Sequence, residues 1–475
     1  MRRRRLFILI LLAVSVGCSG ASAAAPLPTG TWVGSVSLAA GAQPVALSVE
    51  VRGGRAVVAV GGGHPSRTEV GVRATAGRLR LSLPGRPAPL TIDLRAKGAR
   101  LVGTARQGAA RGTASLHRGA ALEAATNGLY ALGGDRFVAS FDVPGQRTAL
   151  LLDAGETHVL TRTGRGRYAI GAGLSERTPT VGEATFAATA ATWRGEPATR
   201  VALRQEEVRL AGPGGPLACT LTIPPGSGRR PAIAFAHGAG PALRSWTSFS
   251  AAHFHRLGIV TLSCDKRGIG WSGGRYPGEF ASTEGIDAYA RDVEAQARFL
   301  ASQPEVDPAR IGVSGGSQAG WIMPLAASRE RAIRFVVGLV SPTTTQGETD
   351  LWSNLAGQGQ TPPTRSDDAM LAEVRAAGPS GFDPMPSIRS LTIPALWLYG
   401  GADRTVPTRL CVERLEPLTK EPGRDFSYAV FPGGDHGLVL TANGLLAEQA
   451  RSDRFVPGLF TTIAAWLRAR GLTAA

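Results

Sequence analysis

The sequence predicts an α/β architecture in its C-terminal part: a mostly parallel sheet with helices on both faces and a small cap. An all-β N-terminal region precedes it. Three observations carry this prediction. Residues 30 to about 118 alternate apolar and polar side chains with period two. After Val201, short continuous apolar runs begin to alternate with helical stretches, as in a sheet buried on both faces. Between Thr343 and Leu391 the chain is longer than a plain connection requires and contains two helical patches.

The chain of 475 residues exceeds one typical domain. Residues 1–25 read as an export signal, with Arg2, Arg3, Arg4 and Arg5 before the apolar run Leu6 to Val16. Ala21-Ser22-Ala23 suits ordinary cleavage. Ser15-Val16-Gly17-Cys18 suits a lipoprotein signal, which makes Cys18 a candidate lipid anchor, and Arg4-Arg5-Leu6-Phe7-Ile8 resembles a twin-arginine signal. No later run reaches the roughly 18 apolar residues of a membrane helix. The expectation is a mature chain without a transmembrane helix, periplasmic, secreted or lipid-anchored at the envelope.

Residues 26–120 form a β-rich barrel or sandwich domain in this reading. Val45, Leu47, Val49 and Val51 interleave with Ala46, Ser48 and Glu50, and Leu79, Leu81 and Leu83 with Arg78, Arg80 and Ser82. Residues 121–203 form a second β-rich region, with strands at 137–143, 148–153 and 158–163 and no repeat at propeller-blade spacing. Residues 204–475 form the catalytic domain. Its predicted strands are 232–236, 259–264, 311–314, 335–340, 395–399 and 428–431; its helices lie near 245–257, 284–302, 318–328, 407–419 and 444–470. The cap spans about 343–391.

The formal charge of +16 is almost entirely arginine; Lys occurs only at 97, 266 and 420. Apart from the four arginines of the N-terminal segment, the charge is scattered, with no basic block and no aromatic interleaving, which argues against nucleic-acid binding. Beyond Cys18 the cysteines are Cys219, Cys264 and Cys411, an odd count at wide spacing that fits neither a disulfide framework nor a metal site. One pair can bridge in an oxidising compartment, and the sequence does not say which. No H-E-x-x-H or Walker lysine is present, and no cofactor is expected.

Ligands in parallel sheets bind beyond the C-terminal strand ends, so chemistry is sought there. In Val313-Ser314-Gly315-Gly316-Ser317-Gln318-Ala319-Gly320-Trp321, a strand runs into a serine among small residues and a helix follows. This is the form of a nucleophile elbow, with Ala319 in the second glycine position of G-x-S-x-G. A serine hydroxyl needs a base, and the base an orienting acid. Of seven histidines, His64, His117 and His158 fall in the β-rich half, His253 and His255 in a helix, and His237 in a separate loop. His436, in Gly433-Gly434-Asp435-His436-Gly437 after the last strand, remains as base. Asp403, after Tyr399-Gly400-Gly401-Ala402 and before Pro407, is the acid, with Asp435 the runner-up. An oxyanion needs preorganised donors. The backbone N–H of Gln318 and that of Ala239 in His237-Gly238-Ala239-Gly240 are the candidates, with Gly240 the alternate. His237, Gly238, Asp265 and Arg267 support these loops. The run Gly268-x-Gly270-x-x-Gly273 matches a dinucleotide fingerprint, but Gly274 to Gly278 breaks the helix it would need, so it reads as a tight loop lining the site.

Four motifs, His237-Gly-Ala-Gly-Pro, Asp265-Lys-Arg-Gly-x-Gly-x-Ser, Gly315-x-Ser317-Gln-Ala and Gly401-x-Asp403 with His436-Gly, now stand in order across residues 201–475. Together they resemble exported bacterial α/β-hydrolases of the dienelactone-hydrolase and serine-aminopeptidase-like group, relatives of the prolyl oligopeptidase catalytic domain. The resemblance implies an α/β-hydrolase fold and a Ser317–His436–Asp403 triad but not a substrate; the leading expectation is a small-molecule ester cleaved through an acyl-serine intermediate. A peptidase of the same fold, and a non-catalytic envelope protein with a vestigial hydrolase fold, are the alternatives. Pro324 departs from the pattern by falling inside the helix after the nucleophile, where it is expected to kink the chain unless the helix is only two turns long. Trp271, Trp321 and Trp352 either line an apolar pocket or pack in the core.

Overall fold

The computed structural model describes residues 30–38, 45–52, 55–60, 68–71, 73–75, 77–83, 89–118, 127–143, 146–152, 154–173, 179–240, 242–277, 282–449 and 451–474. Residues 1–25, where an export signal is expected, with Cys18, and His64 lie outside the described residues.

The period-two alternation becomes antiparallel sheet. Nine strands between Gly30 and Arg118 form one sheet with a single apolar face. On the strand Arg78–Leu83, exposed Arg78, Arg80 and Ser82 alternate with buried Leu79, Leu81 and Leu83. Eight further strands, from Gly128–Gly133 to Glu196–Arg200, close a barrel whose first and last strands pair Tyr130 with Arg200. Tyr130, Tyr168, Phe186 and Trp193 fill its interior, so closure removes both sheet edges and the lumen is packed. The opposite faces of these strands present Leu129, Ala139, Phe141, Leu150 and Leu152 to the catalytic domain.

The C-terminal sheet has eight strands: β1 (Arg204–Leu210), β2 (Leu217–Ile223), β3 (Arg230–Ala236), β4 (Val260–Cys264), β5 (Val306–Gly316), β6 (Phe335–Leu339), β7 (Ala395–Gly400) and β8 (Phe426–Phe431). Their order is β1-β2-β4-β3-β5-β6-β7-β8. β1 and β2 are antiparallel to their neighbours and the remaining pairs are parallel. Helices α1 (Ser248–His255), α2 (Thr283–Ala301) and α3 (Ala319–Arg329) cover the sheet, as do α7 (Thr408–Thr419) and α9 (Leu459–Arg468). The cap comprises α4 (Gln346–Leu355), α5 (Asp367–Ala377) and α6 (Met385–Ser390), and α8 (Leu446–Gln449) follows the last strand. No helix among the described residues is long and apolar enough to cross a membrane.

The structure corrects several expectations. β1 and β2 lie outside the predicted strands; β1 is charged and exposed along most of its length, whereas β2 is buried throughout and its small and polar residues Ala218, Thr220 and Thr222 interrupt the apolar run. The helix expected over 444–470 is two helices. Between them Thr157 N donates to Asp453 O (2.6 Å) and Phe455 N to Gly155 O (2.9 Å), which joins the segment to the barrel. Pro457 lacks the N–H to continue a helix, and Gly458, at φ +85°, starts α9 afresh. Pro324 does not end α3, which continues through it for 11 residues with Trp321, Ile322, Met323 and Leu325 buried. His253 and His255 are both buried packing residues, and His255 Nε2 lies 2.7 Å from Thr261 Oγ1. Cys219 and Cys264, directly opposite each other on β2 and β4, form a disulfide, and Cys411 is free and buried.

Candidate active site

The turn from β5 into α3 has the geometry of an elbow. Ser317 adopts φ +56°, a left-handed conformation that costs a non-glycine residue about 1–3 kcal/mol. Small neighbours make the turn sterically feasible. A Cβ at Gly315 would lie 2.3 Å from Ala236 O and 2.6 Å from Ala319 Cβ, and one at Gly316 would lie 2.9 Å from Leu339 O. The displaced glycine also finds its reason, because a Cβ at Gly320 would meet Pro342 Cδ and N at 2.7 Å. Ala319 is thus accommodated by the bare Cα of Gly315, and Gly320 is required by the β6–cap connection.

Asp403 follows β7 and His436 follows β8. Their loops are joined by backbone bonds from Gly401 N to Phe431 O and from Ala402 N to Gly434 O, both 2.8 Å. His436 Nδ1 lies 2.9 Å from Asp403 Oδ2 and 3.1 Å from Oδ1. The Asp403 side chain is fully buried, whereas His436 is 27% exposed. Thr405 N and Val406 N donate to Asp403 Oδ1 at 2.7 and 2.9 Å. Burial disfavours the charged imidazole, but the Asp403 charge and hydrogen bond outweigh it, so the His436 pKa stands above its ordinary value. Asp435, the runner-up acid, instead accepts Gly437 N and Val439 N at 2.8 and 3.0 Å and shapes the loop. The parallel strands bring Ser317, Asp403 and His436 to one edge of the sheet. Among the described residues Ser317 Oγ makes no hydrogen bond, and none joins it to His436; such contacts often tighten only with substrate.

On the other flank, the loop after β3 lies against the serine: a Cβ at Gly238 would be 3.4 Å from Ser317 Cβ and 4.0 Å from Oγ. The N–H groups of Ala239, Gly240 and Gln318 donate to no acceptor among the described residues. His237 Nε2 lies 2.6 Å from Cys264 O, and burial lowers its pKa to about 4, so it is a neutral brace. Asp265 is buried and accepts Arg244 N (2.9 Å) and Trp271 N (3.0 Å), while Arg267 grips Asp292 through two bonds of 2.8 and 2.6 Å. Burial raises the Asp265 pKa above its ordinary value. No helix opens at Gly268–Gly273; a Cβ at Gly270 would lie 2.6 Å from Asp265 Oδ2, so this glycine serves the tight fold of the loop. Among the described residues no group of three His, Cys, Asp or Glu side chains is placed to hold a metal ion.

The profile of the prolyl oligopeptidase family matches residues 245–461. The C-terminal half has an α/β-hydrolase fold, and residues 245–461 within it are similar to that family. An uncharacterized protein of Mycobacterium tuberculosis is 32% identical over 209 residues, covering 42% of this chain and 64% of its own length. A polyketide transferase of Penicillium crustosum is 35% identical over 89 residues, covering 19% of this chain and 28% of its own length. Among solved structures, an esterase of Pyrococcus furiosus is 17% identical with a TM-score of 0.41, covering 56% of this chain and 91% of that one. An esterase of Pyrobaculum calidifontis is 19% identical with a TM-score of 0.39, covering 57% and 87%.

The hydrolase cap is anchored at the site. Trp352, buried on α4, donates its Nε1–H to Asp403 O (3.3 Å), and Trp321, buried on α3, donates to Thr344 O (3.0 Å). Both therefore pack and brace; Trp271 is only partly buried. These two bonds, and two of the three Lys266 contacts, leave no residue signature in the sequence, because their acceptors are backbone carbonyls; the third acceptor is the Gln318 side chain.

Proposed function

We propose that the chain is an exported serine hydrolase that cleaves carboxylic esters through an acyl-serine intermediate. The observation that carries this reading is the left-handed Ser317 at a strand-to-helix turn, on the same sheet edge as the His436–Asp403 pair. His436 Nε2 takes the Ser317 proton as Oγ attacks the acyl carbon. The N–H groups of Gln318 and Ala239, with Gly240 the alternate, face the oxyanion. Collapse expels the alcohol, which receives the proton from His436. Water, deprotonated by the same imidazole, then attacks the acyl carbon and returns the proton to Ser317.

Ester cleavage is preferred over aminopeptidase action on a charge argument. An aminopeptidase needs a carboxylate for the substrate ammonium. Three acidic side chains at or beside the strand exits are engaged or closed off: Asp403 binds His436, Asp265 accepts Arg244 N and Trp271 N, and Asp435 accepts its own loop through Oδ1 while its Oδ2 is buried away from solvent. Export is supported by residues 1–25 and by the Cys219–Cys264 disulfide, which suits an oxidising compartment. Hydrolysis of short p-nitrophenyl esters and of aminoacyl amides by the purified protein and by Ser317→Ala tests the reading. Ester turnover that depends on Ser317 is expected. Amide turnover far above ester turnover would favour the peptidase, and turnover of neither would favour a binding protein.

A further inference from the structure

Lys266 is the one buried lysine among the three in the chain, and among the described residues no carboxylate pairs with it. Its Nζ donates to Gly238 O (2.7 Å), Gly240 O (3.1 Å) and Gln318 Oε1 (3.0 Å), three acceptors for three ammonium hydrogens. Its own backbone N–H donates to Ala242 O at 3.0 Å, so one residue grips the loop after β3 at 238, 240 and 242. The Tyr289 ring covers the ammonium, its centroid 4.3 Å from Nζ. Burial without a counter-ion pulls the Lys266 pKa down to about 7.

The acceptors carry the argument. In a trans peptide the carbonyl and the following N–H point in opposite directions. Fixing the Gly238 carbonyl on Lys266 therefore aims the Ala239 N–H away from Lys266, on a loop that packs against Ser317. The third acceptor belongs to Gln318, whose own N–H is the other candidate donor. We propose that Lys266 is a positioning residue for oxyanion stabilisation: its ammonium ties the Ala239 loop to Gln318 and holds their two N–H groups on one point before Ser317. A compact ammonium suits three acceptors converging on one point, where the planar fork of arginine does not. That explains a lysine here in a chain whose other basic residues are almost all arginine.

This inference rests on the serine-hydrolase reading, and the test separates the two. Lys266→Met keeps the stem and removes the ammonium; Gln318→Met keeps the backbone N–H and removes the other end of the tie. Removing an oxyanion donor outright costs about 10²–10³ in kcat, so loosening one should cost about 10–100-fold. For each variant, kcat per active site is measured with active sites titrated by fluorophosphonate to completion. KM and the affinity for a boronic acid that mimics the tetrahedral adduct are measured alongside. The expected result is a fall of about 10–100-fold in kcat and in boronate affinity, with KM within about threefold. If Lys266→Met does not fold, Gln318→Met gives the same readout. Unchanged kcat per titrated site, or a loss confined to KM, overturns the inference. Ser317→Ala is assayed in parallel: its full activity would refute Ser317 as the nucleophile on which this inference rests, whereas an inactive Ser317→Ala beside an unimpaired Lys266→Met refutes only the role of Lys266.

Discussion

Asp403→Asn is the most informative single change to the candidate triad, because the donors around this carboxylate leave the amide one arrangement. Thr405 N and Val406 N both donate to Oδ1, so the asparagine oxygen stays there and its NH₂ faces His436 Nδ1. Two N–H groups cannot face each other. The imidazole must therefore present a bare Nδ1 and carry its proton on Nε2, the atom that should receive the serine proton. The wrong tautomer costs a triad about 10⁴ in kcat, or about 5.5 kcal/mol of transition-state stabilisation. The pH profile moves as well. A general base must be neutral, so wild-type kcat/KM falls as pH drops through the raised pKa of His436. With the Asp403 charge removed, burial is opposed only by the weaker field of Asp435, and the acid limb moves to lower pH. Ester hydrolysis from pH 5 to 9, with circular dichroism to confirm folding, measures both effects. A variant within about tenfold of wild-type kcat, or an acid limb that does not move, refutes this reasoning.

Two stability predictions follow from backbone and covalent features. Ser317→Gly should be more stable than Ser317→Ala by about 1 kcal/mol in denaturant titration, because glycine tolerates φ +56° and alanine does not; both should lack activity. Replacing Cys219 and Cys264 together by serine should lower stability by up to about 4 kcal/mol, the chain-entropy value for a sequence separation of 45, as seen in the denaturation midpoint.

The candidate site was legible in the sequence wherever chemistry coincided with a strand exit. Ser317, Asp403 and His436 each follow an apolar run and stand beside glycines, because tight turns and close backbone approach demand both. The displaced Gly320 looked like an imperfection in the serine motif; packing against Pro342 requires it. β1 was illegible because an edge strand with one face toward solvent carries charge where a buried strand carries valine. The break between α8 and α9 was signalled by Pro457-Gly458, but its partner, the barrel backbone at Gly155 and Thr157, lies about 300 residues away in sequence. The disulfide pairing depended on the register of β2 against β4, which composition does not encode. Lys266 was visible as a rare lysine, yet its task is defined by carbonyls of neighbouring loops.

The central claim is that the Ser317 hydroxyl is the acylated nucleophile. Peptide mapping by mass spectrometry after reaction with a fluorophosphonate tests it most directly. The account predicts a single stoichiometric adduct on the peptide containing Ser317, with none in Ser317→Ala. An adduct on another residue, or equal labelling of both proteins, would contradict it.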